Sequence, residues 1–220
     1  MYDQKLKIHG IMRSGTNFLE FLIRNNFGFV PMVNEGAWKH GKISSTLDAD
    51  VVVIYKDIYA WLYSIHKYAI TTDFFQITSN ISLSDFIRRK FLFVENESRL
   101  ESENPITFFN ECHNDYLKAE TKRKKFFISY DKLLSKTEEQ LKILAKSLDI
   151  PFEPSKTLYP LLDIKPHETA DMPAQKNFDY NKKSFYEQKQ YMKLFTESDK
   201  NFVASQLDHS ILKQLNEKCL

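Results

Sequence analysis

The sequence predicts an α/β protein with three layers around a central parallel sheet. Three observations carry that prediction. Strand-like segments at 5–9, 51–55 and 125–129 alternate with helical patterns along the chain. The middle segment, "VVVIY", is β-branched and apolar on both faces, as a central parallel strand requires. The chemically loaded stretches "GIMRSGT", "KD" and "YD" follow these three segments, at the strand ends where such sheets bind ligands.

Taken in order, residues 5–9, "KLKIH", alternate and stop at Gly10. From Thr16, the apolar Phe18, Leu19, Leu22 and Ile23 follow helical spacing, and Asn25, Asn26 and Gly28 end the helix. Residues 34–43 are irregular and hold "GAWKHG". After the strand at 51–55, Asp57 caps a helix whose Ile58, Trp61, Leu62, Ile65 and Ala69 share one face. Residues 71–82 read as a loop, and helices are predicted over 83–98 and 106–121. Beyond the strand at 125–129, Ser135 and Glu138 have capping-box spacing for a helix with Leu141, Leu144 and Leu148 on one face, closed by Pro151. Five prolines from Pro151 to Pro173 make 151–183 a long ordered loop or lid. Helices at 184–195 and 197–216 finish the chain, and 1–220 reads as a single domain.

Composition limits the function classes. The 220 residues are 42% hydrophobic and 27% charged, an ordinary globular balance. A net charge of +2 is too small to make nucleic acid the main partner, and "KRKK" (122–125) and "NKK" (181–183) read as solvated faces. Cys112 and Cys219 have neither metal nor redox spacing, which suits a reducing compartment. No secretory apolar segment opens the sequence, and the longest apolar run is too short to span a bilayer. The expectation is a cytoplasmic protein with no membrane span and an undetermined oligomeric state.

The stretch "KIHGIMRSGTNFLEFLI" resembles a phosphate loop with one residue changed. Gly10 and Gly15 keep the spacing of G-x-x-x-x-G-K-[ST], but Thr16 stands at the Lys position and the nearest cation is Arg13. The glycines let the backbone turn and approach a ligand, and the amides of Ser14, Gly15, Thr16 and Asn17 open the following helix towards an anion. Lacking a Lys for β- and γ-phosphates, the loop suits one oxyanion held close by a forked guanidinium. No Walker-B carboxylate ends the next strand, because "VVVIY" runs into Lys56 before Asp57. A reaction without a metal fits these residues better.

Lys56 at a strand end and Ser64 eight residues on form a candidate second anion site. Together, "RSGTNFL", "YKDIYAWLYS" and "FFISYDKLL" resemble, in this order, the signature segments of the sulfotransferases that use 3′-phosphoadenosine 5′-phosphosulfate. The resemblance covers roughly residues 1–150. It continues more loosely in "YEQKQYMKLFTESDKNFVASQLD", which is similar to the C-terminal helices of bacterial members. It implies a P-loop NTPase-like sulfotransferase fold, and transfer of a sulfuryl group to a hydroxyl of a saccharide or other small acceptor.

The resemblance also implies residue roles. Arg13 falls at the loop cation that binds the 5′-phosphosulfate. Ser64 matches the Ser of the 3′-phosphate segment. Lys56 stands there for an Arg and Ile58 for a Pro, which keeps the charge and loses the bidentate fork. Tyr130 matches a Tyr whose ring packs near the adenosine. In "GAWKHG", Trp38 and Lys39 stand at the first two positions of a Lys-x-His segment and His40 at the base, so His40 and Lys39 join Arg13 as catalytic candidates. Glu35 is the alternative base. Trp38 either stacks on an acceptor ring or packs in the core. A basic loop covers the 3′-phosphate in the family, for which Lys176, Lys182 and Lys183 are candidates. Two other readings stay open: an atypical P-loop small-molecule kinase, and a non-catalytic nucleotide-binding module.

Overall fold

The computed structural model describes residues 5–27, 32, 38–77, 80–95, 98–152 and 183–220. The predicted lid at 151–183, with Lys176 and Lys182, falls almost entirely outside them, as does Glu35.

The chain is α/β. Strands β1 (Leu6–His9), β2 (Asp50–Tyr55) and β5 (Lys125–Ser129) form a parallel sheet in the order β1-β2-β5. The register pairs Ile8 with Val52 and Ile54 with Ile128. Single parallel bridges extend both edges, Met32 beside Leu6 and Cys219 beside Phe127. All six residues of β2 are buried, as its unbroken apolar run predicts for a central strand.

Alternation along the strands divides the core between the two faces of the sheet. On one face Leu6, Ile8, Val52, Ile54 and Ile128 pack with α1 (Thr16–Asn26), α5 (Tyr130–Ser135) and α6 (Thr137–Leu148). On the other, Val51, Val53, Tyr55 and Phe127 meet α2 (Ile58–Ala69), α3 (Leu83–Arg88), α4 (Pro105–Lys118), α8 (Glu197–Gln206) and α9 (His209–Lys218). Trp61 of α2 is fully buried there, and its indole N–H donates to the Met12 carbonyl at 2.7 Å. That bond ties α2 to the loop after β1.

Several local predictions are corrected. The helix expected over 83–98 stops at Arg88, and Phe91–Glu95 forms β3, antiparallel to β4 (Ser98–Ser102). Phe91 and Phe93 are buried and Leu92 and Val94 half-buried, an alternation of period two that suits a strand. The expected helix over 106–121 is Pro105–Lys118, capped by the Asn104 side chain. Ser135 caps nothing: its hydroxyl donates back to the Asp131 carbonyl within α5, and Lys136 precedes α6 with no side-chain cap bond. The helix expected at 184–195 is α7 (Lys183–Glu187) followed by a 3₁₀ turn, and that at 197–216 is two helices, α8 and α9. Within the loop at 71–82, Asp73–Phe75 forms a 3₁₀ turn. Among the described residues no helix is long and apolar enough to cross a membrane.

Candidate anion-binding and transfer site

Because the three strands are parallel, their carboxyl ends lie at one edge of the sheet. The Gly10 loop follows β1 there, Lys56 and Asp57 follow β2, and Tyr130 follows β5. Sequence position alone therefore brings the predicted residues together.

The loop is built tightly. A Cβ on Gly10 would lie 2.5 Å from the Ile54 carbonyl oxygen and 2.5 Å from Ser14 Oγ. Gly15 has φ 106°, and a Cβ there would meet the Tyr130 ring at 2.5 Å. Arg13 itself adopts φ 66°. A left-handed backbone costs a non-glycine residue about 1–2 kcal/mol, and here it turns the Arg13 guanidinium over the Tyr68 ring, 5.1 Å from the centroid. Burial lowers the guanidinium's pKa, and the nearby Tyr186, Tyr68 and Tyr130 oppose that shift.

One amide of the predicted cradle is already engaged within the loop. The Ser14 N–H donates to the Ile11 carbonyl at 3.1 Å, closing a turn, and the Ser14 side chain is fully buried. The Ser14 amide therefore shapes the loop, while its buried hydroxyl has no hydrogen-bond partner among the described residues. The amides that open α1 are those of Gly15, Thr16 and Asn17, and no side chain caps that end.

The turn at 38–41 docks on this loop through both polar groups of Gly10. The Gly10 N–H donates to the Lys39 carbonyl at 3.1 Å, and His40 Nδ1 lies 2.6 Å from the Gly10 carbonyl oxygen. A carbonyl only accepts, so Nδ1 carries the proton and Nε2 keeps its lone pair. Burial lowers the His40 pKa to about 4, while the Gly10 bond opposes and the charges of Lys39, His9 and Arg13 add to it. The ring is thus neutral at neutral pH. The Lys39 ammonium bonds to Asn17 Oδ1, which sets a second cation at the N-terminus of α1. The Tyr116 hydroxyl reaches the His40 carbonyl at 3.4 Å. Trp38 is half-buried, stacked on Phe93 at 5.7 Å with 13° between planes, and its edge meets His40 at 5.1 Å.

The cation at the end of β2 is held differently. Lys56 is 4% exposed. Its ammonium sits 4.0 Å from the Tyr130 ring centroid and 4.6 Å from that of Tyr186. Among the described residues no carboxylate lies within ion-pair distance of it. Burial lowers the Lys56 pKa to about 7, helped by the Arg13 charge and opposed by Asp131 and Asp57. Ser64, also buried, stands beside the Tyr186 phenol, whose pKa burial raises and the Ser64 bond lowers. Asp57 is already engaged: Oδ1 accepts from the Tyr59 and Ala60 amides at 3.0 Å each and from the Tyr191 hydroxyl at 3.3 Å.

Arg13, Gly15, Thr16, Asn17, Lys39, His40, Trp38, Lys56, Ser64 and Tyr130 thus fall in one region. Lys183 lies on α7, the helix that carries Tyr186, and is exposed and paired with Glu187 at 3.5 Å. Tyr186 is the residue that sequence reading missed. The aromatic pair in "SFYEQ", just past the basic stretch, was the available signal.

Among the described residues no group of three or more His, Cys, Asp and Glu is arranged to hold a metal ion. Compared with family models, with curated proteins and with solved structures, the chain matches none of them.

Proposed function

We propose that this chain is a sulfotransferase that moves a sulfuryl group from 3′-phosphoadenosine 5′-phosphosulfate to the hydroxyl of a small acceptor. One observation carries most of the weight. Lys56 is a buried cation between two aromatic faces, with no carboxylate at ion-pair distance among the described residues, beside a second cation and an uncapped helix N-terminus. Burying a charge is costly unless something pairs with it. A ligand with anionic groups at both ends of an adenosine would supply that pairing.

The residues fit such a donor. Gly10 and Gly15 leave no room for a Cβ, so only backbone lines that part of the loop. Arg13, Lys39 and the amides of Gly15, Thr16 and Asn17 would hold the phosphosulfate end. Lys56 and Ser64 would hold the 3′-phosphate, and Tyr130 would lie against the nucleoside. When bound, the donor supplies an activated sulfuryl group and a phosphate leaving group. Arg13 and Lys39 then stabilise charge on the oxygens around the sulfur. His40 accepts the acceptor's proton at Nε2, because Nδ1 is already committed to Gly10. An ATP-dependent kinase fits less well: the strand end that would carry a Mg²⁺-binding Asp carries Lys56, and the Asp57 carboxylate caps α2.

The test is transfer of labelled sulfate from the donor to a panel of hydroxyl compounds, together with calorimetry using the desulfated nucleotide. Binding and transfer are expected in the absence of ATP and Mg²⁺. Failure of the intact protein to bind the desulfated nucleotide overturns the reading.

A further inference from the structure

Lys56 and Ser64, the residues assigned to the 3′-phosphate, are closed to a phosphate as they stand. They are 4% and 6% exposed. The Tyr186 ring lies over the Lys56 ammonium, 4.6 Å from its centroid, and the Tyr186 phenol meets Ser64. One side chain thus covers the charge and the hydroxyl together. A phosphate held by both residues has to displace a cover before it binds.

The two rings over Lys56 are held unequally. Tyr130 lies against Gly15 at the start of α1 and opens α5, whose Leu133 and Leu134 are in the core. Tyr186 belongs to α7, a helix of five residues, none of them buried. α7 docks through two half-buried rings: Phe185 against Tyr63 at 5.1 Å, and Tyr186 against Tyr130 at 5.8 Å. Both rings also touch Tyr191, at 6.2 and 5.9 Å. Tyr191 is fully buried and its hydroxyl donates to Asp57, so the chain is anchored just past α7. Between that anchor and α7 stands Lys189, with a left-handed φ of 50°. Hinges are a few such residues at the ends of elements, where the backbone can change its angles.

We propose that α7 is an autoinhibitory plug. Tyr186 closes the Lys56–Ser64 site in the free chain, and α7 swings out about Lys189 when a nucleotide's 3′-phosphate takes the place of the phenol. The inference rests on the sulfotransferase reading above and adds a regulation of its donor site. On opening, Lys56 exchanges a ring face for an anion, and Ser64 exchanges a phenol for a phosphate oxygen. A charge-assisted bond to phosphate is stronger than a contact with a ring face, which drives the exchange. A nucleotide without the 3′-phosphate gains neither contact and leaves α7 closed, because a ligand shifts an equilibrium only by its differential affinity for the two states. The closed state also weakens apparent donor affinity in proportion to its population.

The experiment titrates the desulfated nucleotide, and separately adenosine 5′-phosphate, into the full chain at pH 6, where the Lys56 ammonium is charged with or without its cover. Hydrogen exchange is followed at the Gln188 and Lys189 amides, which donate to the Ser184 and Tyr186 carbonyls of α7. Tyr186→Ala should bind the desulfated nucleotide about tenfold tighter than the parent, and Tyr186→Phe, which loses only the Ser64 bond, about threefold tighter. Neither variant should change the affinity for adenosine 5′-phosphate. In the parent, the desulfated nucleotide should speed exchange at both amides, and adenosine 5′-phosphate should not. Variants that bind the desulfated nucleotide no tighter than the parent, or a nucleotide that slows exchange at those amides, make Tyr186 a clamp on the ligand and overturn the plug. Because the exchange measurement uses the parent protein, it decides the matter even if Tyr186→Ala fails to fold. Failure of the parent and of both variants to bind the desulfated nucleotide is the distinct failure, that of the sulfotransferase reading itself.

Discussion

Arg13 and Lys56 are the cations at the ends of adjacent strands, and the chain holds them in opposite ways. Arg13 sits on a short loop with a left-handed backbone, its guanidinium over the Tyr68 ring. Lys56 continues a regular strand and points its ammonium between two rings, Tyr130 and Tyr186. Arg13 stays charged at any working pH. Lys56 titrates near neutrality. The strained position carries a permanent charge, where a developing anion would need it. The unstrained position carries a charge that its surroundings can remove.

The largest break in this comparison is Arg13→Ala. If the Arg13 guanidinium faces charge that develops during transfer, kcat should fall about 10²–10³-fold with thermal stability little changed. Arg13→Lys should recover only part of the loss, because a point charge cannot replace a planar fork. A variant with undiminished turnover would remove Arg13 from the chemistry.

His40→Ala comes next, with an expected loss of about a hundredfold in kcat and unchanged affinity for the desulfated nucleotide. The pH profile sharpens the assignment. Nε2 accepts a proton only while the ring is neutral, so kcat/KM should rise with pH through about 4 and then level off. A rising limb near 6.5 would mean that the ring is not buried as described.

Gly15 couples the two regions, because the Tyr130 ring lies against it and also carries the Lys56 ammonium. Gly15→Ala adds a Cβ into that ring at a positive φ, and should lower stability by about 1–3 kcal/mol, read by denaturant unfolding. It should also weaken nucleotide binding, since Tyr130 must move off Lys56. A fully stable variant with unchanged binding would show that the two cations are independent.

Much of this was legible in the sequence where the signal is local. The glycine spacing, the Asp57 cap and the apolar run 51–55 of β2 depend on neighbours a few residues away. Features set by distant partners were not. The His40 tautomer depends on a carbonyl thirty residues earlier. Tyr186 comes to Lys56 from far along the chain, past residues 153–182. Phe93 was read as helical because its alternation covers only Phe91–Glu95, and its pairing with β4 cannot be seen from one strand. Ser14 looked like a donor to a ligand, yet a turn of only four residues claims its amide.

The smallest and most diagnostic effect belongs to Lys56→Arg. The groups facing the ammonium are Arg13 from the loop, Asp57 from the start of α2, Asp131 and Tyr130 from α5, and Tyr186 from α7. Burial and Arg13 lower its pKa from 10.5 to about 7, so between those two values the unfolded chain holds a proton that the folded one lacks. Stability from this group therefore rises with pH across that window, and is lost as pH falls to 7. Nucleotide binding runs the other way. An anion needs the charged ammonium, so affinity should be flat below pH 7 and fall about tenfold per pH unit above it, with about one proton taken up per nucleotide bound at pH 8. Calorimetry in buffers of different ionisation enthalpy measures that uptake directly. Lys56→Arg should bind without taking up a proton and hold its affinity from pH 6 to 9. If the parent protein already binds with constant affinity over that range, Lys56 is not the group that meets the phosphate, and the contrast with Arg13 reduces to a difference in packing.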